Sequence, residues 1–407
     1  MTLSGHATPD VVVIGAGIVG TATAYELSKR GLAVRLLDRG EPGSGCSAGN
    51  SGAISPASVA PLAMPGLLSQ LPAMLTDADS PLYLPLGYLP KAAPWLLRFV
   101  ASARAGSVKL AAARIAALHQ GALALHAATM HEVGVGDLLL RRGHLYVYPD
   151  AAALAKDAMG WSLRKEYGYT VEALDRDGIL SLEPRLPARY QIGRYLPDQA
   201  SVRNPRRYVE AIARALVARG GRMIRGNVRA LRPENGKWRI ESDSADGNLC
   251  ADHVVVAAGA WSRRLIEPLG VKASLESQRG YHVHYPDFEQ LVSRTVVLAD
   301  RKVFITPMED GLRIGGTVEI GGMTREPDPR RVAVLERIAR ETFADLGTVT
   351  PLTWMGHRPC MPDSIPVIGA APGHDRLWLA FGHGHLGLTQ SLPTAVRISQ
   401  LITGAPT

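Results

Sequence analysis

The segment DVVVIGAGIVGTATAYELSKRGLAVRLLDR, residues 10–39, leaves little freedom in how this chain begins to fold. Asp10 to Ile14 is a short β-branched run of the kind that forms a strand buried on both faces. Gly15, Gly17 and Gly20 follow at once, then a small-residue helix closed by Gly31, then a second strand from Ala33 to Leu37 that ends in Asp38. Strand, glycine turn, helix, strand and acid in this order form the dinucleotide-binding fingerprint. The first glycine makes the tight turn, the second lets backbone amides reach a pyrophosphate, and the third allows close packing of helix on strand. The helix start at Ile18 and Val19 offers unpaired N–H groups and a positive dipole end to the phosphates. Asp38, with Arg39 beside it, is placed to accept hydrogen bonds from the ribose hydroxyls. The bland alternative is a tight βαβ unit that binds nothing.

Composition narrows the rest. A chain of 407 residues, 46% hydrophobic and 20% charged, is long enough for two domains with their own cores. Lys and Arg exceed Asp and Glu by 45 to 37, a net charge of +8 spread along the chain without a run of five like charges. That argues against a nucleic-acid tail and leaves open attraction to an anionic substrate or membrane face. Cys46, Cys250 and Cys360 have neither zinc-site spacing nor a disulfide framework, which favours a reducing compartment. The opening MTLSGHATPD lacks the basic and apolar regions of a leader, and no run of eighteen apolar residues occurs. The expectation is a cytoplasmic protein, soluble or peripheral on the inner face of the membrane.

Residues 42–66 are rich in Gly, Ser, Ala and Pro and too long for an ordinary connection, which marks a functional loop. Residues 67 to about 135 read as helical but interrupted, with Pro72, Pro81, Pro85, Pro90 and Pro94 breaking the first half. Within it, 81–100 is unusually apolar. Packing against a substrate domain is the favoured reading, and a membrane- or quinone-facing patch is the alternative. His119, His126 and His131 lack metal-ligand spacing and read as structural or surface residues. Asn204-Pro205 begins an amphipathic helix that stops at Gly220-Gly221, and Asn235-Gly236 marks a hairpin. HVVVAAGAW (253–261) then reads as a buried strand running into Gly259. Residues 271–320 read as a β-meander, and an amphipathic helix follows at about 329–346. Near the end, strand RLWLAF meets a second GxGxxG at Gly382, Gly384 and Gly387. The chain is too short there for a second βαβ unit, so this turn reads as a helix N-terminus aimed at developing negative charge.

The order GAGIVGTATAYELSKRGLAVRLLDR, CSAGNSGAISP, VVVAAGAWS, ITPMEDGLRIGGTVE, HRPCMPDSIPVIG, GHGHLGLTQS resembles the FAD-dependent D-amino-acid oxidase, glycine oxidase and sarcosine oxidase superfamily. NSGAISP…PLAMPG, RRGHLYVYPD and LSLEPRL are most similar to the bacterial D-amino-acid dehydrogenase small subunit. The resemblance implies a mixed α/β fold: a Rossmann-type FAD domain from 1–65, 195–268 and 350–407, and a substrate domain with a large mixed sheet from 66–194 and 269–349. FAD would be held noncovalently, its adenine end at Gly15–Asp38 and its ring beneath the loop of Ser47, Asn50, Ser51 and Gly52. Val228 would hold the adenine edge by its backbone, and Ala258 and Gly259 would pass close by. The turn from Gly382 through Gly384, His385, Leu386 and Gly387 would stabilise the anionic reduced ring. Covalent attachment through Cys360 is not expected, because that cysteine stands only three residues before Asp363.

The activity implied is oxidation of a D-amino acid, its Cα hydride passing to flavin N5 and the imino acid hydrolysing to a 2-oxo acid and ammonia. Arg358 matches the arginine that grips the substrate carboxylate. Arg279, Tyr281 and His282 lie on a strand where such proteins line the substrate pocket, but alternation puts Arg279 and Tyr281 on one face and His282 on the other. Phe304 stands where relatives carry a tyrosine. His383 and His385 flank the flavin turn and could orient substrate or only satisfy backbone groups. A dehydrogenase passing electrons to a quinone is the leading expectation. An oxidase releasing hydrogen peroxide from glycine, sarcosine or D-hydroxyproline is the alternative, and a flavin-bearing subunit without its own activity is the third. An NAD-dependent dehydrogenase is disfavoured, because no further βαβ units follow residue 40.

Overall fold

The computed structural model describes residues 10–66 and 82–405. Residues 1–9, whose composition argued against a leader, and Pro72 and Pro81 lie outside them. Strands Asp10–Ile14 and Ala33–Asp38 pair in parallel on either side of helix Ile18–Lys29, as the fingerprint requires. Val11, Val12 and Val13 are wholly buried, about 1.5–3 kcal/mol for each such side chain. The sheet grows to six strands, in the order Arg222–Arg225, Ala33–Asp38, Asp10–Ile14, His253–Val256, Leu377–Phe381, Val367–Ala370. All neighbours are parallel except the last pair. Small residues on helix Ile18–Lys29, such as Ala22, let the terminal helix Gly387–Thr403 lie close, with Leu392 and Ala395 in the same cluster.

Asn204 caps helix Pro205–Ala218 by accepting from Arg207 N, and the helix delivers the chain to strand Arg222–Arg225. A small antiparallel sheet then intervenes, its hairpin turning at Asn235 and Gly236 with φ of 51° and 77°. Both features match the expectation.

The second large sheet has nine strands. Its main path is Leu352–Cys360, Glu276–Pro286, Gly311–Glu319, Val303–Pro307, Thr295–Leu298, His144–Tyr148, Ile192–Leu196, Glu172–Leu174, and Leu82–Tyr83 joins beside Gly311–Glu319. Two expectations need correction here. The segment 271–320 is not a simple meander: Glu276–Pro286 skips two strands to pair with Gly311–Glu319. Long strands bury more ladder together than either would against the short Thr295–Leu298. The boundary at 350 also fails, because Leu352–Cys360 is an edge strand of this second sheet.

One face of the nine-stranded sheet is closed. Tyr281, Val283, Tyr285, Ile305 and Ile314 pack there against Leu335, Ile338 and Ala339 of helix Pro329–Thr342. The opposite face is open to the cavity that holds the site. Helix Leu89–Ser102 packs Ala92, Trp95 and Phe99 inward, with Ala63 and Ile320, and leaves Leu97 outside. His119 and His126 are buried and hydrogen-bonded, His119 to the Pro56 carbonyl and His126 to the Tyr208 hydroxyl, in line with a structural role.

Candidate active site

A cavity of about 1370 Å³ is lined from both large sheets. Such a volume exceeds an ordinary small-molecule site and suits an extended ligand. At its first end stand Gly15, Gly17, Ile18, Val19, Asp38 and Arg39, with Val228, Ala258 and Gly259 nearby. The glycines divide their tasks as their spacing suggested. Gly15 turns at φ +108°, a Cβ on Gly20 would run into the Gly15 carbonyl, and Gly17 is open, with Ser47 Oγ the nearest atom at 3.6 Å. Asp38 accepts from Ala16 N at 2.6 Å and Gly40 N at 2.8 Å, so it shapes the turn as well as facing the cavity. Its remaining lone pairs stay free for a ribose. Ser47 Oγ accepts from Ile18 N at 2.9 Å, and Arg39 stacks over Trp261 at 4.3 Å.

The far wall is a row of cross-strand neighbours. Trp354, His282, Gly315, Phe304, Val297 and Tyr146 are successive partners across the sheet, and all line the cavity. The loop of Asn50 and Ser51 lies against this wall, held by Arg313, whose Nη1 donates to the carbonyls of Ala48 and Asn50 at 2.9 and 2.6 Å. His282 Nδ1 donates to the Gly49 carbonyl at 3.1 Å, and its ring stacks on Trp354, centroids 5.1 Å apart. Burial and the nearby Arg313 push its pKa down to about 3, so the ring is neutral at neutral pH. The uncapped N-terminus of helix Gly387–Thr403 reaches the cavity at Gly384, His385, Leu386 and Gly387.

Arg358 also projects into the cavity, from the edge strand. A Cβ on Gly280 of the neighbouring strand would overlap its guanidinium, so the bare glycine makes the slot that the arginine occupies. Burial draws the pKa of Arg358 down. Its Nη1 makes one long hydrogen bond, to the Thr317 carbonyl at 3.5 Å, and among the described residues no carboxylate pairs with it. Arg358 is half-buried; a cation drawn partly out of water without a counter-charge is costly, and a carboxylate ligand would complete it. His385 is exposed on the cavity wall, where the protein packed around it and the nearby Arg358 lower its pKa to about 4, which keeps it neutral and uncompetitive for an anion.

Other expected residues do different work. Of the two further pocket residues expected on this strand, Tyr281 lines the cavity and Arg279 does not. Their polar ends turn to the closed face, where Arg279 pairs with buried Glu319 at 3.0 Å and the Tyr281 hydroxyl also donates to Glu319. Strand alternation is the reason. His383 is on the cavity wall, but its Nε2 is bonded to Thr394 Oγ1 at 3.0 Å, and burial lowers its pKa to about 3. Gly20, Gly52 and Gly382 are packing and turn residues off the cavity wall. A Cβ on Gly52 would strike the Val202 carbonyl, and one on Gly382 would lie 2.7 Å from Met361 Cγ. Sequence reasoning missed Gln278, directly opposite Arg358, together with Trp354 and Arg313. The signal for Gln278 was available, since it shares the parity of His282.

The residues fit FAD: an open glycine turn at a helix start, a free acidic edge, and a second helix start on the wall of the same large cavity. The comparisons agree. The family model for FAD dependent oxidoreductases (DAO) matches residues 10–401. The chain is 36% identical over 401 residues to the D-amino-acid oxidase of Bradyrhizobium diazoefficiens, covering 97% of this chain and 95% of that one. It is 34% identical over 413 residues to D-amino acid dehydrogenase 2 of Ralstonia nicotianae, covering 96% of each. Glycine oxidase from Geobacillus kaustophilus superposes with a TM-score of 0.75 over 98% of this chain and 96% of that one; at 23% identity this speaks to the fold alone. Glycine turn, cavity and full-length matches converge on one conclusion: the chain is an enzyme of the FAD dependent oxidoreductase (DAO) family.

Proposed function

We propose that the enzyme oxidises D-amino acids to imino acids, which hydrolyse in water to 2-oxo acids and ammonia. The observation that carries this reading is Arg358, a cation inside the cavity with no protein carboxylate among the described residues to balance it. Its planar fork suits a bidentate grip on an amino-acid carboxylate. Both full-length relatives act, by their names, on D-amino acids. Bound in the cavity, FAD supplies the two-electron acceptor. The protein's own task is to fix the substrate and exclude alternatives. Arg358 holds the carboxylate, neutral His385 leaves that charge to the arginine, and Phe304 and Val297 offer an apolar wall to the side chain. A substrate bound with its amine already neutral needs no protein base. A flavin carrier without activity would have no use for this arginine.

The acceptor we infer is a quinone rather than oxygen. An apolar arm of the cavity, with Leu84, Leu89, Leu96 and Phe99 on its walls, adjoins an outer surface where Leu86 is 79% and Leu97 72% exposed. That surface suits a lipophilic carrier. Among the described residues no helix is long and apolar enough to cross a membrane, so contact with a bilayer would be peripheral. The cofactor is proposed to be noncovalent: burial pushes the thiols of Cys46 and Cys360 up to about 11 and 12, away from the reactive thiolate form.

The test is anaerobic bleaching of bound flavin by D-amino acids, L-amino acids, D-hydroxyproline and sarcosine, followed by reoxidation with a soluble quinone or with oxygen. D-amino acids should bleach it and quinone should restore the colour fastest. Bleaching by sarcosine alone, or faster reoxidation by oxygen, would favour the amine-oxidase alternative.

A further inference from the structure

Thr317 has a φ of +50°, a left-handed conformation that a β-branched residue adopts only under strain. It sits where the register of Glu276–Pro286 and Gly311–Glu319 slips. Gly280 faces Val318 and Tyr281 faces Gly316, which leaves Thr317 as the extra residue of a β-bulge. The bulge presents the Thr317 carbonyl to Arg358, which donates to it at 3.5 Å. On its other side Arg358 fills the slot left by Gly280.

Just beyond the bulge, on the closed face, the strands are tied together. Buried Glu319 accepts from Arg279 Nη1 at 3.0 Å and from the Tyr281 hydroxyl, and pairs with Arg325 Nε at 3.1 Å. The Tyr281 hydroxyl accepts from Asp328 N at 3.0 Å, and Arg279 Nη2 donates to the Arg325 carbonyl at 2.7 Å. Such a buried charged cluster contributes little net stability against an apolar core of the same shape, but it fixes geometry. A strained residue persists only where its surroundings over-determine it.

We propose that the Thr317 bulge, locked by Arg279, Glu319 and Tyr281 on the far face of the sheet, aims the Arg358 guanidinium at the substrate carboxylate. Thr317, Glu319, Arg279 and Tyr281 are then positioning residues that act through Arg358. The inference rests on Arg358 as the carboxylate anchor.

Thr317→Gly releases the strain and loosens the bulge, and Tyr281→Phe cuts one tie of the lock. Propionate, a carboxylate without an amine, is titrated into each FAD-loaded variant by calorimetry, alongside D-alanine kinetics and thermal melting. Both variants should bind propionate about five- to tenfold more weakly, with KM for D-alanine raised by a similar factor and kcat within about twofold. The melting midpoint of Thr317→Gly should equal or exceed that of the parent. Arg358→Met separates the two ideas. If it binds propionate normally, the anchor itself is wrong. If it abolishes binding while Thr317→Gly and Tyr281→Phe bind propionate as the parent does, the positioning role is wrong and the anchor stands. A loss confined to kcat, or one that tracks lowered thermal stability, also overturns the positioning role. Should Tyr281→Phe fail to fold, Thr317→Gly decides alone.

Discussion

Arg358 and Gly280 act as a pair at the scale of single residues. The arginine supplies the charge and the glycine supplies the space for it. Arg358→Met should remove two charge-assisted hydrogen bonds to the substrate carboxylate, about 3 kcal/mol together, and lower kcat/KM by roughly a hundredfold. Gly280→Ala should lower it by tenfold or more with the fold retained, because a methyl group would displace the guanidinium without burdening the backbone. Steady-state kinetics with D-alanine check both, and a Gly280→Ala enzyme of normal KM would show that the guanidinium has another place to go. Arg358 was picked out through the family resemblance that HRPCMPDSIP carries, and the structure puts it on the cavity wall. The fate of Arg279 and Tyr281 was only half legible: alternation separated them from His282, but not which face met the cavity. That depended on helix Pro329–Thr342, which covers one side of the sheet and is distant in sequence.

The strongest local signals gave the surest elements. Glycine turn, Asn204 cap, Asn235-Gly236 hairpin and terminal helix all rest on short-range chemistry, and each stands where its residues suggested. The order of strands in the nine-stranded sheet rests on long-range pairing, which periodicity does not encode, and there the meander and the boundary at 350 were misplaced. Buried histidines join these elements. His119, His126 and His144 bond to the Pro56 carbonyl, the Tyr208 hydroxyl and the Ala200 carbonyl, and burial holds each pKa down to about 4. An unfolded histidine takes up its proton near pH 6.5, so between 6.5 and about 4 the unfolded chain binds more protons than the folded one. Stability should therefore fall as pH drops through that window, by about 1.4 kcal/mol per pH unit for each histidine. Urea midpoints at pH 7.5 and pH 5 measure it, and equal midpoints would mean these histidines are already protonated in the fold.

Across the whole molecule, the cavity joins two sheets that come from interleaved parts of the chain, so the cofactor site is assembled only when both sheets are in place. FAD should therefore stabilise the protein by mass action, and its removal should lower the melting midpoint by several degrees. Acid precipitation should leave the yellow colour in the supernatant. A yellow pellet would mean a covalent bond, for which Cys46 on the cavity wall is the first residue to examine. The size of the cavity was not legible in the sequence, since it is the space between surfaces assembled from many separate parts of the chain, Gly15 and Trp354 among them.

A crystal structure of the FAD-loaded enzyme with propionate bound would examine the anchoring role of Arg358 most directly. Both carboxylate oxygens should lie within hydrogen-bonding distance of the Arg358 guanidinium, with the aliphatic end toward Phe304. A carboxylate held by any other cation of the cavity, such as Arg164, with Arg358 left unliganded, would contradict it.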